Sequence, residues 1–186
     1  MAIYSNPNIT TQGENHMQHK VATVVFLQNE KGEIFMGRKT QKIGIGMYTG
    51  PGGKVEPGEA IETCARRETF EEIQVKLKEA SLRKIAIIQF YNHHQDPTKS
   101  FLMEVHFFLA NNWEGTPRDT EELKDGRWFP LWRLRWFPWS VKMMAADKIF
   151  LPYIAAGQKI KAKFHYDGTD QKKLTKYVIN QVERFL

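Results

Sequence analysis

The most constraining stretch of this chain runs from Gly53 to Val75, because it opens on glycines, turns once and closes on carboxylates. Pro57-Gly58 suits a type II turn, since proline presets φ at the second position and glycine accepts positive φ at the third. From Ala60 to about Ile73 there is no proline or glycine and most residues are good helix formers, so a helix is predicted there. At about 100° per residue, Glu72 falls ~40° from Glu68, and Glu71 falls ~60° from it on the other side. Three carboxylates therefore share one arc. Like charges at i,i+4 cost an isolated helix a few tenths of a kcal/mol, and a hard divalent cation reverses that sign. Mg²⁺ takes oxygen ligands, keeps several waters and is usually held by a few carboxylates together with substrate phosphates. Arg67, four residues before Glu71, is placed to pair with it and fix its rotamer. A Glu-rich helix taken by itself is equally a solvated face, so the spacing has to decide.

That spacing is a glycine, five residues, Glu, seven residues, Arg-Glu, two residues, then Glu-Glu, occupied here by Gly53, Glu59, Arg67, Glu68, Glu71 and Glu72. It resembles the Nudix box of the MutT-like hydrolases. Six fixed residues at fixed spacing arise by chance in about one chain of this size in 10⁵, so the match is not incidental. Two weaker positions depart from the pattern: Thr69 stands where an aliphatic residue is usual, and Gln74 replaces the glycine that ends the family helix. Without that glycine the helix is expected to end differently or run on.

At 186 residues, 41% hydrophobic and 26% charged, the chain suits one domain with a real core. No apolar run approaches the ~20 residues of a membrane span, and no secretory signal pattern stands near the start, so a cytoplasmic protein is expected. The single cysteine, Cys64, excludes an intrachain disulfide and a thiolate cluster; inside the helix it reads as a buried structural thiol. The net charge of +6 means either attraction to polyphosphates or nucleic acid, or a solvated surface.

Residues 1–19 are polar and without periodicity and read as a flexible arm, followed by one domain over 20–186. Lys20–Gln28 and Glu33–Arg38 read as the two strands of a hairpin around Asn29–Gly32. Next comes a glycine-rich loop with Lys39, Lys42 and Lys54 around it, a pattern that lets backbone N–H groups approach phosphate oxygens. Leu82–Tyr91 and Ser100–Ala110 read as strands around an Asp96-Pro97 turn. His93 and His94, adjacent on a strand, point apart and do not form a shared metal site. An acidic loop over Asn111–Asp125 carries Glu121 and Glu122. The aromatic cluster of Trp128, Phe129, Trp132, Trp136, Phe137 and Trp139 is expected to be core and edge packing, the other reading being base stacking as in single-strand binders. Lys142–Ala156 reads as a helix stopped by Gly157, Lys159–Tyr166 as a strand, and Leu174–Val182 as its hairpin partner or a short helix.

The likeness extends from about Lys20 to Val182 and is nearest to the animal MutT homologues that hydrolyse oxidised purine nucleoside triphosphates. It implies an α/β fold, the Nudix α/β/α sandwich with a mixed central sheet. The activity implied is hydrolysis of nucleoside triphosphates such as 8-oxo-dGTP to the monophosphate and pyrophosphate, with Mg²⁺ or Mn²⁺ as cofactor. By the same resemblance Glu68 and Glu72 ligate metal, with Glu71, Glu122 and Gly52 as further ligands; Glu71 or Glu122 serves as base, and Arg67 orients the glutamates. Lys39, Gly53 and Lys54 fall to the phosphates, and Thr49, Phe90 and Asp147 to the base. The family's pocket Asn aligns with Thr49, only one of its paired aspartates survives as Asp147 beside Ala145-Ala146, and its pocket Trp falls near Met143 or Met144. The implied partner is a nucleotide, with no stable nucleic-acid complex, no membrane and a monomeric state. The alternatives are a Nudix hydrolase of another nucleoside diphosphate derivative, or a Nudix-fold module that binds nucleotides or nucleic acid without turnover.

Overall fold

The computed structural model describes residues 17–167 and 173–185. Most of the expected arm, and the residues between the last two strands, therefore lie outside the described residues. The elements in order are β1 (Gln18–Leu27), β2 (Glu33–Lys39), β3 (Tyr48–Thr49), α1 (Ile61–Ile73), β4 (Lys76–Leu77), β5 (Leu82–Asn92), β6 (Phe101–Ala110), β7 (Trp113–Glu114), β8 (Leu123–Pro130), α2 (Leu131–Trp136), α3 (Ala145–Ala155), β9 (Ile160–Asp167) and β10 (Lys173–Gln181). The main sheet has the order β1-β6-β5-β9-β10. Its β1–β6 and β5–β9 pairs are parallel, and its β6–β5 and β9–β10 pairs antiparallel. The sheet is therefore mixed, as expected.

Side chains alternate across it and split the core in two. On one face Phe26, Val105, Phe107, Ile88 and Phe164 pack with Phe150, Leu151 and Ile154 of α3. On the other, Val25, Leu27, Phe108 and Ala110 pack with Ala65 and Ile73 of α1. Helix, sheet and helix make the three-layer sandwich. No helix among the described residues is long and apolar enough to cross a membrane.

The expected hairpin of β1 with β2 does not form as a ladder. The turn is there, with Asn29 N–H on the Glu33 carbonyl at 3.0 Å and one bridge between Gln28 and Ile34, but the strands then part into different sheets. β2 pairs with β3 and β8 in a three-stranded antiparallel sheet. The edge of β1 that a hairpin would use is occupied by the glycine-rich segment: Thr23 N–H donates to Gly53 O and Val25 N–H to Pro51 O, both at 2.8 Å. On either side of Pro51 only glycine fits so close. A Cβ on Gly50 would lie 2.3 Å from the Val25 carbonyl oxygen, and one on Gly52 would lie 2.0 Å from that of Thr23.

Helix α1 spans Ile61–Ile73, matching the reading from sequence, and it ends where the family glycine would have ended it. Gln74 takes the left-handed conformation itself, with φ 60°, and both its backbone N–H and its side-chain amide donate to Phe70 O. Thr69, at the usually aliphatic position, is fully buried and donates its hydroxyl to Ala65 O at 2.7 Å. Both departures are absorbed within the helix by local hydrogen bonds. The C-terminal alternative resolves as a strand, β10. Of the aromatic cluster, Phe129 is buried and Trp128 stacks on Trp113. Trp132, Trp136, Phe137 and Trp139 instead stand in solvent, correcting the expectation of core packing. Residues 131–140 form a one-turn-and-a-half helix and a 3₁₀ turn that bury only Leu134 and Pro138.

Candidate active site

Arg67 is the hub of α1. Its guanidinium forks onto Glu59 through Nε and Nη2, both at 2.9 Å, while Nη1 reaches Glu68 at 2.8 Å and Glu71 at 3.1 Å. Nη2 also lies 3.3 Å from the Lys54 carbonyl. The sequence pattern pointed to a pair with Glu71, but the bidentate partner is Glu59 in the preceding turn. That bond drives the Glu59 carboxyl down to about 2, and the Arg67 pKa rises in turn. The arginine thus locks the turn before the helix to the helix itself and sets the rotamer of Glu68.

Glu72 is 5% exposed, and its Oε2 accepts the Gly52 N–H at 2.9 Å. Burial pushes its pKa up to about 7, offset by the Gly52 hydrogen bond and the Lys39 charge and reinforced by the carboxylates of Glu122 and Glu68. Glu68 lies against Gly53, where an added Cβ would come within 2.3 Å of its carboxyl carbon. The acidic loop docks on α1 through Thr120, whose hydroxyl donates to Glu72 O at 2.9 Å and accepts from Glu122 N–H at 3.3 Å. Glu122 pairs with Lys42 at 3.0 Å, which holds its carboxyl below the usual range, with a smaller hydrogen-bond contribution from Glu72. Thr120 was missed in the sequence because nothing local marks a threonine 48 residues from its partner.

These groups border a cleft of about 610 Å³ whose lining includes Glu68, Glu72, Gly52, Gly53, Lys39, Lys54, Thr49, Phe90 and Asp147. Glu71 and Glu122 do not line it. Glu71 is more than half exposed on the Arg67 side, and Glu122 stands at the Lys42 ion pair. The apolar wall comes from Tyr48, Phe101, Met103, Phe107, Met144 and Tyr166. Phe90 stacks on Phe164 with centroids 5.8 Å apart. Asp147, on the first turn of α3, is bonded back to the Met144 backbone, and burial pushes its pKa up to about 7. This is half of a capping box, the third helical residue closing on the cap. The Lys39 charge acts on Asp147 as well as on Glu72, so one ammonium serves both groups. Tyr166 and Asn92 face each other across the β5–β9 ladder, and the Tyr166 hydroxyl accepts the Ala146 N–H at 3.3 Å. Period-two counting along β9 from Phe164 was the signal that would have found Tyr166.

His93 and His94 do diverge. His93 Nε2 sits 3.2 Å from His165 Nδ1, while His94 Nδ1 accepts the Asp96 N–H. Cys64 is fully buried beside the Thr23 hydroxyl, and burial raises its thiol to about 11, so it is inert.

The donor set fits a hard divalent cation. It is all oxygen, and two of its carboxylates line the cleft beside a glycine cradle that a Cβ would fill. Among the described residues no group of three or more His, Cys, Asp or Glu side chains is placed to hold a metal ion by itself.

Residues 17–147 match the NUDIX domain. The chain is 32% identical over 164 residues to the oxidized purine nucleoside triphosphate hydrolase of Danio rerio, covering 88% of this chain and 96% of that one. Its Mus musculus counterpart is 32% identical over 162 residues, covering 87% and 94%. The crystal structure of the mutator MutT protein from Bacillus halodurans superposes with a TM-score of 0.70 at 21% identity, over 87% of this chain and 97% of that one.

Proposed function

The chain belongs to the Nudix family of hydrolases, and on that premise we propose that it is a Mg²⁺-dependent pyrophosphatase that cleaves nucleoside triphosphates, oxidised purines foremost, to the monophosphate and pyrophosphate. It would act in the cytoplasm as a monomer, with a nucleotide as its working partner. The observation that carries the reading is the buried Glu72 carboxylate, fixed by Gly52 and flanked by Glu68 in the wall of a cleft that also holds Asp147 and Phe90. The substrate class is supported by relatives named as oxidized purine nucleoside triphosphate hydrolases that match over nearly their whole length.

Glu68 and Glu72 would hold the cation, with Glu122 and Glu71 as outer ligands and the Gly52 carbonyl available beside them. When bound, it neutralises phosphate charge and acidifies an attacking water. Arg67 holds Glu68 and Glu71 in place, so that the carboxylates need not reorganise on binding. Lys39 and Lys54 offer point charges to the phosphates, and the glycines let backbone N–H groups approach them. Phe90, backed by Phe164, presents a ring for a base to stack on. Asp147, protonated below about pH 7 and charged above it, can donate or accept at a purine edge, with the Thr49 hydroxyl as a weaker partner than an amide. Glu71 or Glu122, which border the cleft's carboxylates without lining it, would take the proton from water, and both are exposed enough to pass it on to solvent.

The test is pyrophosphate release from canonical and oxidised nucleoside triphosphates and from nucleoside diphosphate derivatives, with Mg²⁺ and with chelator. Mg²⁺-dependent turnover led by an oxidised purine supports the proposal. Turnover led by a nucleoside diphosphate derivative keeps the carboxylate chemistry and overturns the substrate, and chelator-resistant turnover overturns the metal.

A further inference from the structure

We propose that the exposed aromatic knob over Trp132–Trp139 is a peripheral docking surface for an anionic lipid bilayer. Four of the ten large hydrophobic side chains left exposed among the described residues fall within these eight positions: Trp132 and Trp136 at 60%, Phe137 at 49% and Trp139 at 68%. Side chains that open stand out from the surface, and none of them lines the nucleotide cleft. Trp132 and Trp136, four apart on α2, share the face opposite buried Leu134. The rings pack edge-on in a chain, Trp132 to Phe137 with centroids 6.4 Å apart and planes at 85°, and Phe137 to Trp139 at 5.8 Å and 71°.

Charge says what covers this knob. From Gly126 to Ala146 the sequence carries Arg127, Arg133, Arg135 and Lys142 and not one Asp or Glu. Arg127 and Lys142 stand towards the cleft, over the Tyr48 ring and beside Gly46, so the knob's own cations are Arg133 and Arg135, and none of the ion pairs between described residues involves either. Arg135 lies over the Trp136 ring with its guanidinium carbon 4.8 Å from the centroid, and Arg133 is held by the Ser140 hydroxyl at 2.9 Å. Indoles seated at the headgroup level beside cations that meet anionic lipid are the interfacial pattern. Single-stranded nucleic acid needs open ring faces spaced along a groove, whereas Trp132, Phe137 and Trp139 pack edge-on against one another and the Trp136 face is covered by Arg135. The surface touches a membrane without crossing it, and it acts whichever nucleotide the cleft hydrolyses.

The experiment is sedimentation of the full chain with vesicles of phosphatidylcholine alone and with about a third phosphatidylserine, at low and high salt. A labelled oligothymidine is run in parallel, and pyrophosphate release serves as the check that each variant is folded. Binding is expected to the phosphatidylserine vesicles only, weakened by salt. It should fall about tenfold or more in the Trp136→Ala/Trp139→Ala double variant, and about fivefold for each unit of charge changed in Arg135→Glu, with hydrolysis at wild-type rate. The proposal is overturned by no binding to phosphatidylserine vesicles, by equal binding to both compositions, by binding that the variants leave unchanged, or by variants that lose oligothymidine affinity while vesicles are ignored.

Discussion

Gly53 and Gly52 are neighbours with opposite sensitivities. A Cβ at Gly53 meets the far end of the Glu68 side chain, which can swing away at small cost to the fold, whereas a Cβ at Gly52 meets the Thr23 backbone, which cannot. Gly53→Ala should therefore melt within about 1 kcal/mol of wild type yet lose most pyrophosphate release. Gly52→Ala should lose about 1–3 kcal/mol or more in denaturant unfolding. Glu72→Gln keeps the Gly52 hydrogen bond and the buried volume but removes the charge; turnover should drop by about two orders of magnitude or more with folding intact, and a wild-type rate would dismiss Glu72 as a ligand. For Asp147 the folded pKa near 7 lies above an unfolded value of about 3.9. Between those values the native state keeps a proton that the unfolded chain has released, so its stabilising effect is full below about pH 3.9 and is lost as pH rises through 7. In chelator, the melting temperature of wild type should accordingly fall relative to Asp147→Asn from pH 4 to 8. Glu72 adds a slope of the same sign to both proteins and cancels in the comparison. A constant gap across that range would remove Asp147 as the titrating group.

Helix α1 stops at a residue that is costly there. Gln74 holds φ at 60°, a conformation that glycine reaches without a Cβ penalty, and the amide bond to Phe70 O is exposed and weak. Replacing Gln74 by Gly should raise unfolding stability by about 0.5–1 kcal/mol without changing turnover, since Gln74 is outside the cleft lining; a loss of stability would show that the side-chain amide matters more than the backbone strain. The same helix is tied to the chain on both sides: mid-helix Arg67 holds Glu59 in the preceding turn, and Thr120 holds the Glu72 carbonyl near the C-terminus.

At the scale of the molecule, the proposed cation would link the sheet and the acidic loop thermodynamically. Held by groups from α1 and the loop after β7, it would stabilise the whole sandwich by mass action, about 2.7 kcal/mol when free Mg²⁺ is a hundred times its Kd. Thermal unfolding should therefore shift upward on adding Mg²⁺, and Glu72→Gln should abolish the shift; an equal shift in both proteins would place the ion elsewhere. Removing residues 1–12, polar and without periodicity, is expected to leave turnover unchanged.

The helix over Ile61–Ile73, its shared carboxylate arc and the glycines before it were legible from local rules alone, because turn chemistry and the 3.6-residue period act over a few residues. The same rules located β1, β2, β5, β6 and β9 and the final helix stop at Gly157, but not the short β3, β4 and β7, nor β8, whose first residues fell in the expected acidic loop. They could not assign partners. Whether β2 or the glycine segment takes the free edge of β1 depends on backbone approach distances between residues far apart in sequence, as Val25 is from Pro51 and Thr23 from Gly53. The choice of Glu59 as the partner of Arg67 depends on how the Pro57-Gly58 turn folds back on the helix. Burial, which lifts Glu72 and Asp147 toward neutrality and Cys64 out of reactivity, is a property of the packed molecule. The exposure of Trp132, Trp136, Phe137 and Trp139 is the clearest instance: aromatic composition argues for a core, but the sandwich had already filled both its faces from β1, β5, β6, α1 and α3, and no interior was left for them.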